Sequence, residues 1–244
     1  MRLGVIADVH GNLPALEAVM ERLAGLELDA VVNLGDCASS PLWPAESVAL
    51  LRKSGFHHVR GNHDRVLGAP SPAGLGLSDA YAWSQLDQEA RDWLLALPVS
   101  LSVAGALCIH ASPQDDNTYL LESVVAGRLL PASLEEVEAR LEGNASRLIL
   151  CAHSHLPRLL RLGNGTTIVN PGSVGCPAYD DPDAPAHVSE SGSPHARFAL
   201  VTVEGDKVEV AFQAIAYDWD AAARRARENG REDWAQALLK GWMS

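Results

Sequence analysis

The sequence predicts an α/β protein built on a largely parallel sheet. Short, nearly all-apolar runs open the chain, as strands covered on both faces require. Segments with helical spacing separate those runs, and a polar cluster closes each one.

The elements follow in order. Residues 2–8 (RLGVIAD) form a buried strand that ends in the polar turn DVHGN. Leu13, Leu16, Val19, Met20 and Leu23 recur at helical spacing, which predicts an amphipathic helix over 13–24. Residues 30–34 (AVVNL) supply a second buried strand, closed by Gly35-Asp36. Residues 44–55 (PAESVALLRKSG) read as a helix with proline near its start and glycine at its end. Residues 56–64 (FHHVRGNHD) form a third strand running into a polar turn. Right-handed crossovers between parallel strands follow from this alternation.

A loop over 68–76 precedes helices across 79–97. SLSV (100–103) and ALCIH (106–110) flank Ala104-Gly105 and read as a hairpin. Ser133 and Glu136 form a capping box that opens a helix over 133–143, with Leu134, Val137 and Leu141 turned inward. RLILCAH (147–153), PRLLRL (157–162) and TTIVN (166–170) are three more strands, the last two joined by a Gly-Asn-Gly turn. The polar segment 178–196 reads as a mobile loop, with a substrate lid as the alternative. ARFALVTV (196–203) and KVEVAFQA (207–214) alternate as strands, and a helical segment over 216–244 closes the chain. With no internal repeat and no clear boundary, a single domain over 1–244 is expected.

A chain of 244 residues, 47% hydrophobic and 20% charged, buries a substantial core like an ordinary soluble globular protein. Its formal net charge of −12 argues against a broad grip on nucleic acid, which needs a basic face. The first ten residues carry an acid and a histidine, unlike a signal peptide. The apolar runs fall well short of the ~20 residues that span a bilayer. Cys37, Cys108, Cys151 and Cys176 lie far apart without a C-x-x-C pair, which suits a reducing cytoplasm rather than a disulfide framework or structural zinc.

The polar clusters share one chemistry. Strand ends carry Asp8 and His10, then Asp36, then Asn62, His63 and Asp64, then His110, then His153 and His155. Functional groups of α/β sheets gather at the carboxyl ends of strands. These oxygen and nitrogen donors suit a divalent metal. In extended backbone, side chains two apart point the same way. Asp8 with His10, and His153 with His155, are therefore each expected to present two donors in one direction. The donors outnumber what one ion takes from protein, so two ions sharing Asp36 is the economical reading.

In order, D-x-H (8–10), G-D (35–36), G-N-H-D (61–64), a lone strand-end histidine (His110) and H-x-H (153–155) resemble the calcineurin-like metallophosphoesterases. NPGSVG (170–175) further resembles their small bacterial phosphodiesterase branch. The resemblance implies a four-layer αββα sandwich with mixed sheets. It implies one ion held by Asp8, His10, Asp36 and His155, and a second held by Asp36, Asn62, His110 and His153, with Asp36 bridging. His63 would be catalytic, beside the substrate rather than on metal. Asn170 and Ser173, on the NPGSVG turn, are expected to shape the substrate pocket.

The implied reaction is hydrolysis of a phosphodiester by a metal-activated hydroxide, on a small-molecule phosphoester. Two dications about 3.5–4 Å apart bind a phosphoryl oxygen and acidify a shared water. Their charge makes the pocket locally cationic, so a strongly acidic protein still attracts phosphate there. Mn2+ is expected first, while Fe, Zn, Ni and Co suit the same donor set. A protonated His63 would neutralise the transition state or supply the leaving oxygen with a proton.

The sequence departs from the family in two ways. Ala152 and Ala111 stand where glycine usually precedes the H-x-H and follows the lone histidine. Gly35-Asp36 continues as CASSPLWP, without the D-R-G that gives protein phosphatases and symmetrical diadenosine tetraphosphate hydrolases an Asp partner for the catalytic His and a phosphate-binding Arg. Phosphomonoesterase, protein phosphatase and dinucleoside polyphosphate hydrolase therefore stand second, and what orients His63 is open. A non-catalytic phosphate- or metal-binding module comes third, and charge disfavours a nuclease. Asp64 reads as a turn cap, His57 and His58 as structural or solvated, and His187 and His195 as solvated. The cysteines read as unligated. The oligomeric state is not legible.

Overall fold

Short strands joined by capped helices account for the chain, and a computed structural model describes residues 1–183 and 185–243. Strands β1 (Arg2–Ile6), β2 (Ala30–Asn33) and β3 (His57–His58) alternate with helices α1 (Leu13–Ala24) and α2 (Pro44–Lys53). Next come α3 (Asn62–Leu67), α4 (Leu77–Gln85) and α5 (Gln88–Ala96), then the hairpins β4 (Ser100–Val103) with β5 (Ala106–Ile109) and β6 (Glu122–Val125) with β7 (Arg128–Pro131). Helix α6 (Leu134–Arg140) leads to β8 (Leu148–Leu150), β9 (Arg158–Arg161) and β10 (Thr167–Asn170). Strands β11 (Ala178–Asp181), β12 (His187–Glu190), β13 (Ala196–Glu204) and β14 (Lys207–Ile215) precede α7 (Trp219–Glu228) and α8 (Glu232–Lys240).

Local chemistry sets the boundaries. The Asn12 side chain accepts the Ala15 amide at the start of α1. Ser133 and Glu136 close the expected capping box reciprocally, at 3.2 and 2.7 Å. Ala104-Gly105 joins β4 to β5 with both residues at positive φ, the handedness that matches strand twist in a two-residue turn. Ala126-Gly127 repeats this between β6 and β7, a hairpin the sequence reading did not include.

Two five-stranded mixed sheets, ordered β14-β13-β1-β2-β3 and β4-β5-β8-β10-β9, stack face to face. The pairs β1–β2 and β2–β3 are parallel as expected, while β13 and β14 add antiparallel strands beside β1. Leu3, Val5 and Val32 meet Cys108, Leu148 and Leu150 in the dry layer between the sheets. On the outer face of the first sheet, Ile6 and Phe198 pack with Leu16, Val19, Leu51 and Leu94 of the helices. Outside the second sheet, Ile109, Ile149 and Ile168 pack with Val137 and Leu141 at α6. This is the four-layer αββα sandwich, produced by period-two alternation at each short strand.

The structure corrects two expectations. The third strand ends at His58, and Asn62, His63 and Asp64 open helix α3 instead of lying in a turn. The expected loop over 178–196 is not structureless where it is described, residue 184 lying outside the described residues: β11 and β12 pair in register and join a four-stranded sheet, β11-β12-β7-β6. Its polarity is satisfied internally, for example by the Ser189 hydroxyl donating to Ser154 O at 2.6 Å. Among the described residues, no helix is long and apolar enough to cross a membrane.

Candidate metal centre

The loops after β1, β2, β5 and β8 converge at the carboxyl ends of the two stacked sheets. Parallel pairing of β1 with β2, and of β5 with β8, puts those ends at one edge of each sheet. Backbone bonds then tie the loops: Asp8 N to Gly35 O at 3.0 Å, His10 N to Asp36 O at 2.9 Å, and Ala152 N to His110 O at 2.7 Å.

Two groups of donors result, Asp8 with His10 and His155, and Asp36 with His110 and His153. Asp36 stands between them, its Oδ2 lying 3.7 Å from His10 Nε2 and 3.4 Å from His110 Nε2. Asn62 Oδ1 lies 3.0 Å from His110 Nε2 and so joins the second group. The extended-backbone argument does not survive. Strands β1 and β8 stop at Ile6 and Leu150, and Asp8, His10, Asp36, His153 and His155 all have positive φ, between 45° and 71°. Asp8 and His10 do face one group, but His153 and His155 diverge to different ones.

The histidine tautomers follow from the second nitrogen. Nδ1 of His10, His110 and His155 donates to Ser39 O, Leu34 O and Cys176 O at 2.7–2.8 Å, turning Nε2 into the centre. His153 is reversed: its Nε2 donates to Asn117 O at 2.9 Å, which leaves Nδ1 for the centre. Two lone pairs, on Nε2 of His10 and of His155, therefore face each other at 3.2 Å. Asp8 lies beside them, fully buried, with neither oxygen within good hydrogen-bond geometry of a donor, and the His153 amide offsets only part of the cost of its burial. Burial pushes its carboxyl well above the usual range. Burial likewise lowers His10 to about 4 and His153 to about 3. Burial also opposes charge on His110, but neighbouring Asp36 outweighs it and holds that imidazole up at about 10. An orphaned carboxylate beside two opposed lone pairs fits a cation, and the mixed oxygen–nitrogen set fits a divalent transition metal.

His63 sits at the mouth, its side chain 34% exposed and its ring 5.5 Å from that of His10. Its Nδ1 bonds Asp79 Oδ1 at 2.8 Å, which answers what orients it. Burial opposes charge on His63, but Asp36 and the bonded Asp79 outweigh it and raise it to about 9. Asp79 comes from the first turn of α4. An acid there reads as an ordinary helix-dipole partner, so no sequence signal singles it out. Asp64 does more than cap a turn, since its carboxylate accepts the amides of Gly61, Asp36 and Cys37 and so ties the second and third loops.

Asn170 and Ser173 are buried and turned away from the mouth in their bonding. Asn170 bonds Ala152 O, Ser154 Oγ and the Gly172 amide, while Ser173 bonds Asp8 O and the Cys176 amide. Through these bonds they hold the donor-bearing loops. His187, expected to be solvated, is buried and bonded to Tyr119 Oη at 2.8 Å. Tyr119 stacks on His153 at 4.6 Å and Tyr179 sets its ring edge-on to His155, so the small sheet walls one side of the centre. The four cysteines are free and buried.

Comparison with known proteins agrees with this fold. The chain is 27% identical to an uncharacterized protein of Methanocaldococcus jannaschii, over 95% of this chain and 94% of that one. Its fold is similar to a metallophosphoesterase from Sphaerobacter thermophilus, with a TM-score of 0.76, 24% identity, and 99% and 100% of the two chains covered. It is equally similar to a hypothetical protein from Pyrococcus horikoshii, with a TM-score of 0.77, 23% identity, and 100% and 99% covered. Residues 1–192 match the model of the calcineurin-like phosphoesterase superfamily domain, and the chain belongs to that superfamily.

Proposed function

We propose that this protein is a dinuclear metal-dependent hydrolase of small phosphodiesters. One observation carries the reading: Asp8, without a hydrogen bond, lies beside the opposed Nε2 atoms of His10 and His155. A cation makes that cluster favourable as a resting arrangement. Asp8, His10, Asp36 and His155 would hold one ion, and Asp36, Asn62, His110 and His153 the other, with Asp36 shared. Two such ions, Mn2+ first among the candidates, would supply Lewis acidity toward phosphoryl oxygens and acidify water.

The chain's own residues do the rest. His63 carries a proton at the mouth and delivers it from Nε2 to the departing oxygen, because Asp79 occupies Nδ1. A diester is favoured over a monoester or polyphosphate because nearby Arg65 is already held bidentate by Asp116, at 2.7 and 2.9 Å. That arginine is neutralised before any further phosphate charge arrives. The NPGSVG turn points the same way, and the free thiols suit a reducing cytoplasm.

Metal analysis of the purified protein, followed by rates on bis(p-nitrophenyl) phosphate and p-nitrophenyl phosphate, tests the reading. Two equivalents of divalent metal and a faster diester are expected. His63→Ala should keep both metals and lose at least about tenfold in turnover. Metal-independent hydrolysis, or a faster monoester, would sink the proposal.

A further inference from the structure

The superfamily match ends at residue 192, yet the first turn of α8 reaches the mouth of the centre. The Trp234 ring lies 6.2 Å from that of His10, on the imidazole that His63 also touches. Trp234 Nε1 and Arg231 Nη1 both donate to the Ser78 hydroxyl, at 3.1 and 2.9 Å. Ser78 directly precedes Asp79, the partner of His63. One continuous wall therefore runs from His63 through Asp79 and Ser78 to Trp234 and back to His10.

We propose that this wall is the substituent subsite of the phosphodiesterase, shaped for an uncharged planar aromatic group such as a nucleoside. The assignment rests on the phosphodiester reading above. Trp234 is half-buried, packed in part against the α7–α8 apolar cluster, anchored through its indole N–H and set T-shaped to His10, so its part-exposed ring is the aromatic surface beside the centre. Arg231 is paired with Asp233 through Nε and Nη2, so the wall carries no net cation for a second phosphate. A guanidinium has five donors, and those not used by Asp233 and Ser78 are free for the polar edge of a base or sugar. Charge thus selects a neutral substituent, and the indole selects a flat one.

The experiment compares binding of adenosine 5′-monophosphate and methyl phosphate to the metal-loaded full chain by calorimetry. Both present a phosphate to the centre, but only the first has a base to stack. The nucleotide should bind about tenfold tighter, the scale of one base–aromatic stack. Trp234→Leu should abolish that preference without weakening methyl phosphate, and Trp234→Phe should keep most of it. Ser78→Ala, which unties both side chains and leaves the helical hairpin intact, should reduce the preference several-fold. Equal affinities in the wild type, or a preference that survives Trp234→Leu, overturns the subsite. A nucleotide preference without diester hydrolysis would leave the subsite standing and sink the reaction. Diester hydrolysis without that preference would do the reverse.

Discussion

A buried carboxylate whose oxygens meet no donor costs several kcal/mol unless a cation stands beside it. Asp8 is in that position, and its neighbours His10 and His155 aim lone pairs rather than N–H groups toward the same point. Folding and metal binding thus make opposite demands on this side chain. Asp8→Asn should therefore raise the thermal midpoint in excess chelator at pH 8, by about 1–3 kcal/mol of stability. The same variant should lose the metal held beside His155. A lower midpoint in chelator would mean that Asp8 is satisfied without metal. Asp79 poses a different test, because its proposed role runs through the His63 that it bonds. Asp79→Asn should lower kcat about tenfold with both metals retained, since the amide no longer fixes the charged imidazole. In a His63→Ala background the same change should cost nothing further. An equal loss in both backgrounds would remove Asp79 from this role.

The elements carrying these residues show how much was readable. Apolar runs, helical spacing and the capping box located most strands and helices because each is a local signal. The donors too were legible by type and position, from Asp8 to His155. Their backbone was not. A left-handed residue is usually announced by glycine, whereas here aspartate and histidine adopt it at roughly 1 kcal/mol or more each. That is why spacing grouped His153 with His155 although their loop sends them apart. Asp79 and Trp234 were invisible because they meet the centre only through packing between α4, α3 and α8. The NPGSVG turn offers a test at this scale. A Cβ on Gly175 would run into the carbonyl of Val9 and lie 2.7 Å from Asn12 Cβ, beneath the loop bearing Asp8 and His10. Gly175→Ala should cost about 2 kcal/mol or more and weaken metal retention. Gly163→Ala, with open space around it, should change neither. Equal effects at both glycines would rule out loop packing as the cause.

Across the whole molecule, stacking two sheets face to face is what brings loops 145 residues apart, such as those of His10 and His155, into contact. Neither the sheet order nor the small β11-β12-β7-β6 sheet could be read from local patterns, since both depend on long-range pairing. The same scale governs how substrate arrives. The chain carries a formal charge of −12, and the four positive charges of the two proposed dications would leave it strongly negative. An anionic diester, the proposed substrate, would therefore be repelled at long range and attracted only within a few ångströms of the centre. Salt screens the first field over about 8–10 Å and reaches the enclosed second field far less. Raising sodium chloride from about 10 to 150 mM should thus increase kcat/KM for bis(p-nitrophenyl) phosphate by about twofold, with kcat unchanged. This is the reverse of the salt response expected when a cationic surface steers the substrate. A several-fold fall in kcat/KM over that range would show that the metals' own field, not the acidic surface, controls encounter.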